Sequence, residues 1–176
     1  PRWGCRNHLW GRDIHGSFRA NYRSLESSSG QRVVGMKSLN YVVHGAGGIG
    51  CVIASRLANA GRKVQLVARG AHLEALRSHG LKVTQNTEGR WRLPASATAH
   101  DLDLDDRTVV LLAMKTDDTF AAVRHHSLLY QELPIVCFQN GVSNEEWLSK
   151  EGYRTYGCTV MVGAEIVEPG TVRHSG

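Results

Sequence analysis

From residue 39 onward, short apolar runs alternate with segments whose apolar residues recur three and four apart, the rhythm of strands followed by helices. Residues 39–44 form an apolar strand candidate that runs into Gly45-Ala46-Gly47-Gly48-Ile49-Gly50. Residues 51–60 read as a helix with Val52, Ile53, Leu57 and Ala58 on one face, ending before Gly61. Residues 64–67 predict a second buried strand. Residues 71–78 predict a helix with Leu73, Leu76 and Arg77 at helical spacing, stopped by Gly80.

The next segment changes rhythm. Residues 81–84 and 89–93 read as a small strand pair across a polar Thr87-Glu88-Gly89 turn. An acidic loop, 101–106, precedes the strongest strand pattern of the chain, residues 108–114. Residues 117–130 predict a helix, 134–138 a strand and 143–150 a helix. Ser143 and Glu146 at its start have the spacing of a capping box. Strand and helix in this alternation predict an α/β, Rossmann-like fold: a mostly parallel sheet with helices on both faces. Residues 159–166 and 171–174 flank Glu168-Pro169-Gly170, which suits a type II turn. A further strand is expected to begin at the chain's end.

Charge changes the picture little once it is located. The chain carries 21 basic and 16 acidic residues. Residues 1–35 hold Arg2, Arg6, Arg12, Arg19, Arg23 and Arg32 against only Asp13 and Glu26, leaving 15 basic and 14 acidic residues from Met36 onward. No basic face is visible on the body, so no nucleic-acid partner is expected. Residues 1–35 lack a sustained period and read as a disordered or non-native leader ahead of Met36. Their Arg- and Ser-rich, acid-poor composition also fits an organelle transit peptide. The expected division is therefore 1–35 leader and 36–176 nucleotide-binding domain. No apolar run reaches the roughly 20 residues needed to cross a bilayer, so no membrane partner is expected.

Cys5, Cys51, Cys137 and Cys158 form no C-x-x-C pair, which favours reduced thiols in an intracellular protein. The expected location is cytoplasmic, or mitochondrial if 1–35 is a transit peptide. His125 and His126 are adjacent. On a helix they point about 100° apart, so a solvated face and no metal site are expected there.

Candidate chemistry begins at Gly45-x-Gly47-x-x-Gly50. The pattern follows a predicted strand and opens a predicted helix, the context of a dinucleotide fingerprint. Gly45 permits the tight turn, Gly47 lets the backbone approach a pyrophosphate, and Gly50 lets helix and strand pack closely. The alternative is a glycine-rich turn without a ligand. An NAD site usually places an acid about 20 residues on. Here no acid occurs between Cys51 and Leu73, and Arg69 directly follows Leu66-Val67-Ala68. An arginine there can hold a 2′-phosphate through charge-assisted bonds, which favours NADP; otherwise it is a solvated loop charge. Lys115 and Asn140 fall just past two predicted strands, where ligand crevices lie in open sheets, or they are ordinary loop residues.

Leu66-Val67-Ala68-Arg69-Gly70, Met114-Lys115-Thr116 and Phe138-Gln139-Asn140-Gly141-Val142 with Asn144-Glu145-Glu146 resemble successive motifs of the ketopantoate reductase (2-dehydropantoate 2-reductase) family. Glu168-Pro169-Gly170-Thr171-Val172-Arg173-His174-Ser175-Gly176 also fits, and the resemblance runs from about Met36 to the end. His44 departs from it, standing where the family more often has an aliphatic residue. The resemblance implies NADPH-dependent reduction of 2-dehydropantoate to pantoate, on the way to pantothenate and coenzyme A. It gives Gly45, Ala46, Gly47, Gly48, Ile49 and Gly50 to the pyrophosphate and Arg69 to the 2′-phosphate. Lys115, Asn140 and Ala164 would line the crevice near the reactive end, Asn140 also helping to position the 2-oxo acid substrate.

The family's proton-donating lysine and substrate-binding residues lie in a helical C-terminal domain. The expectation is therefore a chain truncated before that domain, lacking the last strands of the nucleotide domain and inactive alone, with homodimerisation through the missing part. Two alternatives stand beside this reading: a reductase of another 2-oxo acid, and a non-catalytic NADP-binding module. A methyltransferase leaves Arg69, Lys115 and Asn140 without a role.

Overall fold

The computed structural model describes residues 38–86 and 88–175. The leader expectations, Thr87 of the predicted turn and Gly176 lie outside the described residues.

Six strands form one parallel sheet in the order β5-β2-β1-β6-β7-β8: β1 Asn40–His44, β2 Lys63–Val67, β5 Ala95–Ser96, β6 Thr108–Leu112, β7 Ile135–Cys137 and β8 Thr155–Gly157. Because successive side chains alternate between faces, Tyr41, Val43, Val109 and Leu111 join one apolar cluster. Val42, Val110 and Leu112 join the other. Every residue of β6 is buried, as expected for a parallel strand covered on both sides. This explains why its pattern is the strongest in the sequence.

Helix α1, Gly48–Asn59, contributes Cys51, Val52, Ile53 and Ala54 to the first face, and α2, Gly70–His79, contributes Leu73 and Leu76. The second face receives Val123 of α3, Thr116–His125, Tyr130 of α4, Ser127–Tyr130, and Leu148 of α5, Ser143–Lys150. The predicted helix 117–130 is thus two helices. At His126 the backbone leaves the helical region (φ −112°, ψ 19°) and separates them.

A second sheet, β4-β3-β10-β9, completes the first face. β3, Leu81–Gln85, pairs antiparallel with β4, Gly89–Trp91, as predicted. β9, Gly163–Glu168, and β10, Thr171–Ser175, pair antiparallel around Gly170, whose φ of +79° suits the predicted turn. β10 pairs parallel with β3, Thr171 opposite Lys82, and Val172 joins Leu81 and Val83 in the first cluster.

The main sheet ends in a two-residue and a three-residue strand, β5 and β8, neither predicted from pattern. Short edge strands present few unpaired backbone groups. The predicted capping box is also corrected. Ser143 is the first helical residue, Val142 occupies the cap position with no side-chain cap, and Glu146 pairs with Lys150 at 2.8 Å.

Candidate functional site

The glycine motif bends the chain tightly between β1 and α1. Gly45 takes φ +99°, and a Cβ there would stand 2.5 Å from the Met114 backbone nitrogen. The amides of Gly45 and Ala46 both donate to the Val67 carbonyl, at 3.2 and 3.0 Å, and Gly47 donates to Gly45. The turn is thereby clamped between the ends of β2 and β6. Gly50 is equally constrained, since a Cβ would meet the Gly45 carbonyl oxygen at 2.3 Å. Gly48 is pressed against β9, where a Cβ would stand 2.5 Å from the Ala164 oxygen. Gly47 is the exception: a Cβ there meets nothing within 4 Å among the described residues. Its glycine leaves open space beside the helix start.

That start is electrostatically bare. Gly47 caps α1 without a side-chain bond and the first turn holds no acid. The first-turn N–H groups have no intrahelical acceptors, so an anion there would be favoured by about 0.3–1 kcal/mol from the dipole, up to ~2 if partly buried.

Arg69 follows β2 as the residue preceding α2, its side chain 80% exposed. Its guanidinium lies 3.3 Å from Asp118 in the first turn of α3. An exposed pair of this kind contributes about 0–1 kcal/mol, so a phosphate can displace it. Asp118 was invisible to the sequence search for an acid, because it reaches Arg69 from 49 residues downstream.

Lys115 is exposed and caps α3 just past β6, and Asn140 is exposed past β7. Adjacent strands therefore bring both to the carboxyl end of the sheet, where β1 delivers the glycine turn. Ala164 arrives from the second sheet, with its carbonyl against Gly48. Between these positions Gln139 donates to the Thr119 hydroxyl at 2.9 Å, while its buried Oε1 has no partner among the described residues. Sequence reasoning gave Gln139 no role; burial of an unpaired acceptor is what singles it out. Glu145, partly buried beside Gly157, has its pKa raised by loss of solvent.

Two histidines support the turn from below. His72 of α2 accepts from the Gly170 amide at 3.1 Å through Nδ1, and its Nε2 faces the Cys51 sulfur at 3.6 Å. Cys51 itself donates to the Ala46 carbonyl at 3.3 Å, so the β9–β10 turn is tied through His72 to the glycine loop. Burial lifts the Cys51 pKa to about 12, which makes it a neutral packing thiol. His44, immediately before Gly45, is buried with Nδ1 2.8 Å from the Tyr130 hydroxyl. Burial first, then the neighbouring His126, Arg69 and His125, push its pKa down to about 3. His44 is thus a neutral, bonded core residue in a place where an aliphatic one was expected.

A cleft of about 300 Å³ lies between His79, Lys82, Arg90, Glu168 and Thr171. It is lined by none of the predicted contacts. Among the described residues, no helix is long and apolar enough to cross a membrane.

A parallel sheet whose first strand ends in a clamped glycine turn, opening a helix at the carboxyl edge, defines a Rossmann-like α/β protein. The ketopantoate reductase PanE/ApbA family model matches residues 41–176, and the chain belongs to this family of oxidoreductases. It is 31% identical over 132 residues to 2-dehydropantoate 2-reductase of Pyrococcus horikoshii, covering 75% of this chain and 43% of that protein. It is 30% identical over 160 residues to the Mesorhizobium japonicum 2-dehydropantoate 2-reductase, covering 77% and 49%. The crystal structure of a PanE/ApbA family ketopantoate reductase from Ralstonia eutropha matches with TM-score 0.70 at 31% identity, over 78% of this chain and 47% of that one. The ternary structure of D-mandelate dehydrogenase with NADH and anilino(oxo)acetate shares the fold, with TM-score 0.67 at 22% identity, over 78% and 46%. The chain spans about half the length of the relatives it matches.

Proposed function

We propose that this chain binds NADP and forms the cofactor-binding part of an NADPH-dependent 2-dehydropantoate 2-reductase, serving pantothenate and coenzyme A synthesis in the cytoplasm. The observation that carries the reading is the contrast within one turn. Gly45 and Gly50 are locked by backbone contacts, whereas Gly47 faces space that is open among the described residues, next to a helix start with no side-chain cap. A dinucleotide pyrophosphate needs that combination.

In this reading Gly45–Gly50 holds the pyrophosphate and Arg69 the 2′-phosphate. Lys115, Asn140 and Ala164 flank the reactive end, and Gln139 offers its unpaired oxygen nearby. When bound, the reduced nicotinamide supplies the hydride. Lys115 contributes positive potential and Asn140 polar contacts that orient the 2-oxo acid. Reduction of a ketone also requires a proton for the developing alkoxide, which the family resemblance assigns to a lysine of a helical domain. Full turnover therefore calls for that domain in addition to residues 36–176.

Asp118 favours a second reading of the cofactor. Its carboxylate beside Arg69 would repel a 2′-phosphate but could accept a bond from a ribose 2′-hydroxyl, as in NAD sites. Calorimetric titration of the full chain with NADPH and NADH decides between the two. NADP preference predicts that Arg69→Ala weakens NADPH binding about ten- to a hundredfold, the equivalent of ~1.5–3 kcal/mol for bonds to a charged group. It also predicts that Asp118→Asn tightens NADPH and leaves NADH unchanged. NADH binding lost in Asp118→Asn, with NADPH indifferent to Arg69→Ala, would establish the NAD reading instead.

A further inference from the structure

The break at His126 assembles a cluster that the sequence pattern concealed. On a continuous helix, His125 and His126 would diverge. Here α3 ends at His125, and His126 turns its ring inward to become buried. His100, from the 3₁₀ turn Ala99–Asp101 after β5, stacks on it with centroids 5.1 Å apart. His125 stands edge-on to both, at 4.7 Å from His126 and 5.6 Å from His100. One ring nitrogen from each of the three lies within 4.8 Å of the others.

We propose that His100, His125 and His126 bind a divalent transition-metal ion of the zinc, cobalt or nickel type. Three imidazoles suit these borderline ions and not calcium or magnesium, which take oxygen ligands. His126 is preset for the task. Its Nδ1 lies 2.8 Å from the Ala122 carbonyl oxygen, which fixes the proton there and leaves Nε2 with the lone pair. Metal-binding histidines are typically oriented by such a bond. Nε2 now accepts from the Ala99 amide at 3.1 Å, beside the Thr98 hydroxyl at 2.9 Å. Binding exchanges those two neutral hydrogen bonds, from the Ala99 amide and the Thr98 hydroxyl, for a coordinate bond, and the free energy of a zinc site exceeds that of two such bonds.

The remaining adjustment is small. Metal–nitrogen distances near 2.0–2.1 Å place tetrahedral ligand atoms roughly 3.4 Å apart. The exposed rings of His100 and His125 must therefore close by up to about 1.4 Å. The exposed His100 ring is held by its ring contacts and by a long, 3.4 Å contact to the His125 carbonyl. A fourth position stays open to water. The ion would tie the segment after β5 to the α3–α4 junction, a link that stabilises the folded chain by mass action.

The full chain, stripped of metal with EDTA, is titrated with Zn²⁺ by calorimetry and with Co²⁺ by visible absorbance. The expected result is saturable binding and Co²⁺ bands of a tetrahedral nitrogen site. His100→Ala and His125→Ala should each weaken binding about tenfold or more. Both side chains are exposed, so these variants should keep the wild-type circular dichroism spectrum. His79→Ala, another exposed histidine outside the cluster, should bind like the wild type. Equal affinity in wild type and both cluster variants would overturn the proposal. So would equal weakening in His79→Ala, or the absence of any saturable Zn²⁺ binding.

Discussion

At the scale of single residues, polar groups do the positioning. Asp105 receives both contacts of the Asn40 amide, at 3.0 and 3.1 Å, together with bonds from the Arg107 guanidinium and amide and from Thr108. It therefore pins the starts of β1 and β6 side by side. The Arg107 bonds are foremost in holding its pKa down to about 2, against an ordinary value of 3.8. A depressed carboxylate contributes stability that is fully present above its unfolded pKa and is lost as pH falls through the folded one. Asp105→Asn should therefore destabilise the chain at pH 7, as read by urea midpoint. The gap to wild type should narrow as pH drops from about 4 to about 2; a gap independent of pH in that window would exclude the charge as its source. The sequence revealed residues whose structural role is set locally, such as the tight turn at Gly45 and the close helix–strand approach at Gly50. It did not reveal Asp118 or the inward turn of His126, since both depend on partners tens of residues away.

At the scale of elements, legibility followed burial. β1, β2 and β6 were readable because both faces are covered and the apolar run is continuous. β5 and β8 were not, being two and three residues long at the sheet edges. The Ser143–Glu146 spacing misled because Val142 takes the cap position and Lys150 draws Glu146 away. The β1–α1 junction allows a direct check. A methyl at Gly50 would collide with the Gly45 carbonyl at 2.3 Å and the Val43 side chain at 3.0 Å, so the helix must move off the strand. Gly50→Ala should cost about 2 kcal/mol or more, lowering Tm by roughly 4 °C or more in a scanning calorimeter. An unchanged Tm would mean that α1 does not pack on β1 as described.

At the scale of the whole described body, two sheets share one apolar cluster, and the second props up the site of the first. Thr84 bonds the Val172 carbonyl across 88 residues, and β9 lays the Ala164 backbone on Gly48. No local pattern encodes that parallel β3–β10 pairing, which joins segments far apart in the chain. The main alternation, by contrast, reflects the local periods of strand and helix, so the α/β class was legible from the chain alone. Binding of a pyrophosphate on the open side of Gly47 is tested most directly by Gly47→Val. Among the described residues that side chain meets no obstacle within 4 Å of Cβ, and φ is −79° with extended ψ, so folding should be preserved. Titration with NADPH should show a wild-type Tm together with binding weakened at least about tenfold, equivalent to ~1.4 kcal/mol. Wild-type NADPH affinity in a folded Gly47→Val chain would contradict the account.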